Sequence, residues 1–583
     1  MSQAETYTVP PEETPDKPQL PRFSDPRDID EFVAKLEAFE RGELGPDAFR
    51  AFRLTRGVYG QRQPSTQMIR VKIPFGRLAA EQLESLADVA DRWSRGFGHV
   101  TTRQNVQFHF IAMKDVETAM RRLDEAGLTT REACGNSVRT VTACELAEVC
   151  IGAPFDVTPY AEAITRLFLR HPLSASLPRK FKIAFSGCAT DCAKTQIMDL
   201  GFIAQTKDGA PGFKVVAAGG LSVSPQAAIT LHAFLRADEI GRVGEAILRL
   251  FFDLGNRENK HRARLKYVLR KLKEEGFLAK YAEYKAKVDA EAAAELTLPG
   301  ELPARTPAPP ESSPAVHAAG YLAWRAASVI EQKQAPYAAA YVRLALGDIT
   351  SAQLRGLAKL LGRFGDGTVR LTIDQNLLLP WIAPQSLPGL FRELVALGLA
   401  RLDVHTARDV TSCPGADTCN LAVTASRHLA AEIAERLEAE SFSQLSAMKS
   451  TVIKISGCPN SCGQHHVADI GFHGGAKTVG DVTVPVYQLH LGGGVDEKGA
   501  RFGRQVVKIV ARRVPEAVVL LLKLYEAERT GGEAPAAFFA RVDPKRVVAA
   551  LADVLGAPAA GDDRDIGEQS GFLVHEGAGE CAA

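Results

Sequence analysis

Along the chain, short β-branched or alternating apolar runs are punctuated by glycine turns and separated by stretches with a helical apolar period, which predicts a mixed helix and sheet protein. VIKIS (452–456) has the content of a strand, Ser-Gly-Cys after it is a turn, and a Gly-Gly turn follows the next strand. Residues 225–290 read differently. Their spaced apolar positions among Lys, Arg and Glu predict long helices, with KHRARLKYVLRKLKEE (260–275) the most basic stretch. Polar, Pro-rich residues 1–20 predict a segment without fixed structure, 298–315 an extended linker, and the small acidic stretch after Gly556 a flexible tail.

Landmarks recur on either side of that linker. RVKIPFGRLAAEQL (70–83) resembles VRLALGDITSAQL (342–354), and VTTRQNVQFHFI (100–111) resembles LTIDQNLLLPWI (371–382). FKIAFSGCATDCAKTQIMDLGF (181–202) matches VIKISGCPNSCGQHHVADIGF (452–472), and Val216 to Gly220 falls where Leu489 to Gly493 does. Four matches in one order, at an offset of roughly 270 residues, indicate an internal duplication. The expectation is an α+β protein made of two copies of one module, with the reactive site between them.

At 583 residues the chain is long enough for several cores. Lys and Arg total 70 against 69 for Asp and Glu, so no global field argues for nucleic acid or an anionic membrane as partner. The start, Met-Ser-Gln-Ala-Glu-Thr, lacks a basic or apolar leader, and no run of about 18 uncharged apolar residues occurs, which predicts a cytoplasmic protein away from membranes.

The ten cysteines are Cys134, Cys144, Cys150, Cys188, Cys192, Cys413, Cys419, Cys458, Cys462 and Cys581. In a reducing compartment such clusters favour metal ligation or redox chemistry over disulfides, while a buried free thiol fits Cys150 and Cys581. Cys413-x5-Cys419 followed by Cys458-x3-Cys462 places four thiolates on two turns, kept tight by Pro414, Gly415, Gly457 and Pro459. Structural zinc prefers pairs two to four residues apart, so the spacing favours a 4Fe-4S cluster. A zinc scaffold or binding protein is the reading from a different class.

At these residues the chain resembles the sirohaem-dependent nitrite/sulfite reductase family, whose signature is this pair of turns. The resemblance implies two pseudo-twofold-related halves, each a ferredoxin-like lobe plus a sirohaem-binding α/β lobe. The expected boundaries are an N-terminal extension 1–60, lobes 61–125 and 126–297, a linker 298–320, lobes 321–400 and 401–556, and a tail 557–583. It implies sirohaem and a 4Fe-4S cluster held by Cys413, Cys419, Cys458 and Cys462, with Cys462 also reaching the sirohaem iron, and Asn460 as a donor to the sulfurs or a turn former. Sirohaem is rich in carboxylates, and the family's macrocycle contacts fall on Thr101, Arg103 and Gln107, expected on one face of a strand. His99 stands where the family often has Arg, and Arg62 is a weaker candidate. The family's anion site falls on Arg70, Arg139, Lys180 and Lys182, although LPRKFK alone could be a solvated basic edge strand.

The implied reaction is the six-electron reduction of sulfite to sulfide, with nitrite to ammonium as the alternative. Members devoted to nitrite tend to have Asn where Lys182 stands, which tips the reading towards sulfite. No dinucleotide fingerprint follows a strand, so electrons are expected from a ferredoxin or a separate flavoprotein, with 260–275 either a docking face for it or a solvated helix face. Laying Cys134–Thr140 on Cys413–Cys419 matches Cys134, Cys188 and Cys192 to cluster ligands and leaves Thr140 at the fourth place. These thiols are therefore expected to be relics of the duplication, with a second cluster completed by Cys144 as the alternative.

Overall fold

The computed structural model describes residues 20–298, 307–311, 319–440, 446–575 and 580. Most of the extended N-terminal start and most of the Pro-rich linker lie outside them. The first half opens on an antiparallel sheet in which Val58–Gly60, Thr66–Val71, Val106–Ala112 and Phe97–Val100 are neighbours in that order. The second half repeats it with Val329–Glu331, Ala338–Val342, Leu377–Ile382 and Thr368–Leu371. The fifth strand of each sheet comes from the other half. Asp348–Thr350 pairs with Phe97–Val100 and Arg77–Ala79 pairs with Thr368–Leu371, so the halves are interlaced by backbone hydrogen bonds.

The helices Ala80–Trp93 and Ser351–Phe364 cover these sheets. Leu83, Leu86, Ala87 and Ala90 in one and Leu354, Leu357, Ala358 and Leu361 in the other recur at helical spacing and are buried in a single apolar core built from both halves. Thr350 and Gln353 close a capping box that sets the start of the second helix directly after the exchanged strand.

The other two lobes each carry a five-stranded mixed sheet. Thr142–Ala143, Ile183–Ser186 and Leu200–Lys207 run parallel, then Ala210–Ala217 and Ile229–Arg236 antiparallel. Thr411–Ser412, Ile453–Ser456, Ile470–Val479, Val482–Leu491 and Arg504–Val510 repeat the order. The expectation of helices throughout 225–290 is therefore corrected at its start. Ile229, Leu231, Ala233 and Leu235 alternate with polar or aromatic neighbours, a period of two, and helices begin only at Ile240–Leu254 and Leu265–Ala290.

The stretch after Gly556, expected as a flexible tail, packs against the second half as far as Glu568. The Ile566 side chain is buried, and the Asp565 carboxylate accepts from the Ala425 amide at 2.7 Å. Asp562 pairs with Arg513. Further on, Glu580 returns to the first half, where it accepts from the Gly60 amide at 2.6 Å and pairs with Arg53. Charged acceptors paid back by buried donors hold a segment that composition alone makes look loose. Among the described residues no helix is long and apolar enough to cross a membrane.

Candidate functional site

Parallel pairing of Thr411–Ser412 with Ile453–Ser456 brings the Cys413 turn beside the Cys458 turn, with Ser412 opposite Ile455. Two glycines let the turns close. Gly415 has φ +62, and a Cβ there would lie 2.5 Å from Ser426 Oγ; a Cβ on Gly457 would lie 2.6 Å from the Thr424 carbonyl oxygen. Gly457 donates its amide to Cys413 Sγ at 3.2 Å, and Ser426 Oγ lies 3.3 Å from the same sulfur. Burial, then the charges of Cys462 and Cys413, push the Cys458 thiol up to about 12, while backbone and side-chain donors of Asn460 act the other way. Burial also raises Cys413. Buried thiols disfavoured as anions become good ligands once a cation compensates the charge, so this donor set suits an iron–sulfur centre. Cys462 differs from them. It is exposed on a cavity wall, and its carbonyl accepts from Thr102 Oγ1 at 3.1 Å.

That cavity, of about 590 Å³, lies between the halves. It brings together the expected site residues other than the weaker candidate Arg62: Cys413, Cys419, Cys458, Cys462, Asn460, Thr101, Arg103, Gln107, Arg70, Arg139, Lys180 and Lys182 all line it. Ten Arg and Lys side chains face one carboxylate, Glu580, so the space suits a polyanion. Arg70, Gln107 and His99 form one row across three strands, with Gln107 opposite both others. The Gln107 amide oxygen accepts from Arg70 Nε at 3.3 Å and from its Nη2. His99 is buried, its Nδ1 3.0 Å from Asp348 on the exchanged strand and its Nε2 3.2 Å from the Gln375 amide.

Arg139 is aimed by three partners: it donates to the carbonyls of Gly135 at 3.0 Å and Ala133 at 3.2 Å, and to the Tyr59 hydroxyl at 3.4 Å. The Lys182 amide donates to Asp199 at 2.9 Å. Burial, then Arg103, Arg264 and Lys180, hold the Lys182 ammonium well below the ordinary lysine range, against the pull of Asp199.

The expected single strand face carrying Thr101, Arg103 and Gln107 is corrected. Residues 101–105 form a turn between Phe97–Val100 and Val106–Ala112, closed by the Thr101 amide on the Asn105 carbonyl at 2.9 Å, with Gln104 at φ +53. Arg103 lines the cavity from that turn and also donates to the carbonyls of Thr140 and, at 3.3 Å, Ile183, which fixes its direction. Burial, then Arg139, lowers it to about 9. Arg62 does not line the cavity; its Nη2 donates to the Ala422 carbonyl at 2.7 Å, supporting the loop after Cys419.

The basic 260–275 stretch divides: its start belongs to the site, while Arg270, Lys271 and Lys273 are exposed on the helix Leu265–Ala290. Lys260, Arg262, Arg264 and Lys266 line the cavity. Arg264 makes two bonds to buried Asp199, at 3.1 and 2.7 Å, and Lys266 donates to the Leu221 carbonyl at 2.6 Å. The signal was the run KHRARLK itself, whose charge is far denser than a solvated helix face needs.

The registration of Cys134 on Cys413 is also corrected. Cys134 is buried among Leu54, Tyr59 and Met68. Ala143, opposite Phe185, occupies the place of Ser412 opposite Ile455, so the residue matching Cys413 is Cys144.

The family description "Nitrite and sulphite reductase 4Fe-4S domain" matches residues 134–288 and 404–551, and "Nitrite/Sulfite reductase ferredoxin-like half domain" matches 59–126 and 330–397. A sulfite reductase [ferredoxin] of Mycobacterium tuberculosis is 31% identical over 476 residues, covering 80% of each chain. A ferredoxin–nitrite reductase of Synechococcus elongatus is 30% identical over 481 residues, 81% of this chain and 88% of the relative. The solved structure of the Mycobacterium tuberculosis NirA protein superposes with a TM-score of 0.73 at 28% identity, covering 89% of this chain and 97% of that one.

Proposed function

From the premise that the chain belongs to the nitrite and sulphite reductase family, we propose that it reduces sulfite to sulfide with electrons from a reduced ferredoxin. One observation carries the reading: the thiol set and four convergent cations open on the same cavity. Cys413, Cys419, Cys458 and Cys462 would hold the 4Fe-4S cluster, and the exposed Cys462 sulfur is placed to reach a metal inside the cavity. When bound, the cluster and sirohaem of this family would supply single electrons and a metal to which the anion binds.

The chain's own residues do the rest. Arg103 and the cations of 260–266 would neutralise the macrocycle's carboxylates, and Gln107 would add a neutral hydrogen-bonding group. Arg70 and Arg139 present planar donor forks already fixed by Gln107, Tyr59 and backbone carbonyls, so little reorganisation accompanies anion binding. Lys180 and Lys182 add charge. With its proton held less tightly than an ordinary lysine's, Lys182 can deliver it from Nζ as S–O bonds break.

A nitrite reading is favoured by the likeness to the Synechococcus relative. Side-by-side turnover of sulfite and nitrite with one reduced ferredoxin separates them. The expected result is a higher kcat/KM for sulfite with sulfide as product; a higher value for nitrite with ammonium as product overturns the sulfite assignment.

A further inference from the structure

We propose that Cys144, Cys150, Cys188 and Cys192 hold a second iron–sulfur cluster of the 4Fe-4S class, one with no tetrapyrrole beside it. The set has the spacing of the first, Cys144-x5-Cys150 and Cys188-x3-Cys192. The spacing is invisible while Cys134 is taken as the first ligand, and emerges once the strand pairing fixes Cys144 as the counterpart of Cys413.

Several hydrogen bonds framing the two sets correspond. Cys144 donates its amide to Phe185 at 2.9 Å, as Cys413 does to Ile455 at 3.3 Å. Cys150 donates to Leu146 at 2.7 Å, as Cys419 does to Gly415 at 3.0 Å; Ala153 donates to Cys150, and Ala422 to Cys419, both at 3.2 Å. The second turns share two left-handed residues, Asp191 and Lys194 in one, Ser461 and Gln464 in the other. Even the support from the opposite half is repeated. Lys333 donates its amide to Val149 at 2.8 Å and Gln334 its side chain to Glu148 at 2.9 Å, as Arg62 does to Thr418 at 2.9 Å and Gln63 to Asp417 at 2.7 Å. Sequence drift after a duplication has no reason to keep all four thiols and both turns together; a bound cluster does.

The thiols are close enough to interact, Cys144 with Cys192 and Cys150 with Cys188. They are not drawn in to a single ion. Among the described residues only His465, His466 and His490 form a group whose ligand atoms all lie within 4.8 Å of one another. Four sulfurs at about 2.3 Å from one zinc would stand roughly 4 Å apart. Among the described residues neither four-cysteine set brings three sulfurs within 4.8 Å of one another.

What the second site lacks is the neighbouring polar cavity. Across its sheet, Tyr341 opposite Leu378 replaces Arg70 opposite Gln107. Those two, with Ala339 and Val404, form a closed apolar cluster against Leu146. Among the described residues this apolar cluster leaves a carboxylate-rich macrocycle no polar cavity, and the nearby Lys194 and Lys454 are paired with Asp374, whereas a cluster needs only its thiolates. Cys150, Cys188 and Cys192 are half-buried, so the site lies near the surface, where a one-electron donor protein can approach.

The test is the non-haem iron and acid-labile sulfide content of the full chain purified without oxygen, with electron paramagnetic resonance after reduction. The expected result is about eight irons and two cluster signals per chain, twice the content of one cubane. Cys150→Ser with Cys188→Ser should lose about four irons and one signal while keeping the sirohaem absorption. About four irons in the unaltered protein overturns the proposal, as does one zinc per chain that those substitutions remove, or a Cys144–Cys192 disulfide in the oxygen-free protein. The wild-type count decides the matter even if the double variant fails to fold. Its outcome does not depend on which anion the enzyme reduces.

Discussion

At the scale of single residues, the proposed sulfite reading makes the charge at Lys182 the expected lever on substrate choice. Near neutral pH sulfite is largely dianionic and nitrite carries one charge, so losing a cation there weakens sulfite more. At about 4 Å and an effective dielectric of about 20, a unit pair is worth about 4 kcal/mol before desolvation. A third of that is close to tenfold in affinity. Lys182→Asn is therefore expected to lower kcat/KM for sulfite at least about tenfold relative to nitrite, whereas Lys180→Asn lowers both alike. Equal losses in Lys182→Asn would remove the charge argument for sulfite. The second proposed lever is Cys462, the exposed cysteine of its set. A neutral Ser hydroxyl bridges two irons poorly, so Cys462→Ser should abolish turnover and change the visible spectrum through loss of cofactor coupling; full activity in that variant would refute the bridging role. These residues were legible because each sits in a short motif whose chemistry is local. Glu580 was not, since nothing in GAGECAA announces a carboxylate that returns across the molecule to the Gly60 amide.

At the scale of elements, the turn after the second cysteine pair leads into a knot of histidines. His465, His466, His473 and His490 pack in tilted and edge-on pairs, five of them with ring centres 4.1 to 5.1 Å apart, and His473 Nδ1 lies 2.8 Å from His490 Nε2. Burial, then the neighbouring imidazoles, lowers His466 to about 4 and His473 to about 3; burial lowers His490 to about 4, and His465 falls well below its ordinary value. Every folded value lies below the unfolded one near 6.5, so the unfolded chain binds more protons in the interval between them. Stability from these groups is full above about pH 6.5 and is lost as pH falls towards 4, by at most about 1.4 kcal/mol per unit for each histidine. Melting temperature should therefore drop between pH 7 and 5, and His473→Gln should flatten that slope; an unchanged slope would show the knot titrates normally. Element-level reading succeeded where periodicity was strong, as in the two helices over the interlaced sheets. It misplaced Cys134 because the register rests on Thr142–Ala143, a two-residue strand with no periodicity to read.

At the scale of the whole molecule, the duplication was legible as repeated landmarks, but the exchange of strands between its copies was not. Arg77–Ala79 and Asp348–Thr350 are each three residues long, and nothing local distinguishes pairing within a half from pairing across. The consequence is physical. Each ferredoxin-like sheet is completed only by its partner, and Leu86 and Leu361 belong to one apolar core, so the ferredoxin-like lobes close a core only together, while each of the other two lobes has a core of its own. The cavity is built the same way, with Arg70 and Arg139 from the first half and Cys413 and Cys462 from the second. The halves should fold as one cooperative unit despite the Pro-rich stretch joining them. Cutting the chain at residues 305/306 and expressing the pieces apart should give two insoluble or molten fragments, because each exposes an unpaired strand edge and half a core. Co-expressed, the same pieces should co-purify as a one-to-one complex that holds sirohaem, since the contacts that complete each sheet do not pass through the linker. A single half that melts cooperatively on its own, or co-expressed halves that fail to associate, would show that the exchanged strands are dispensable and that each copy carries a complete core.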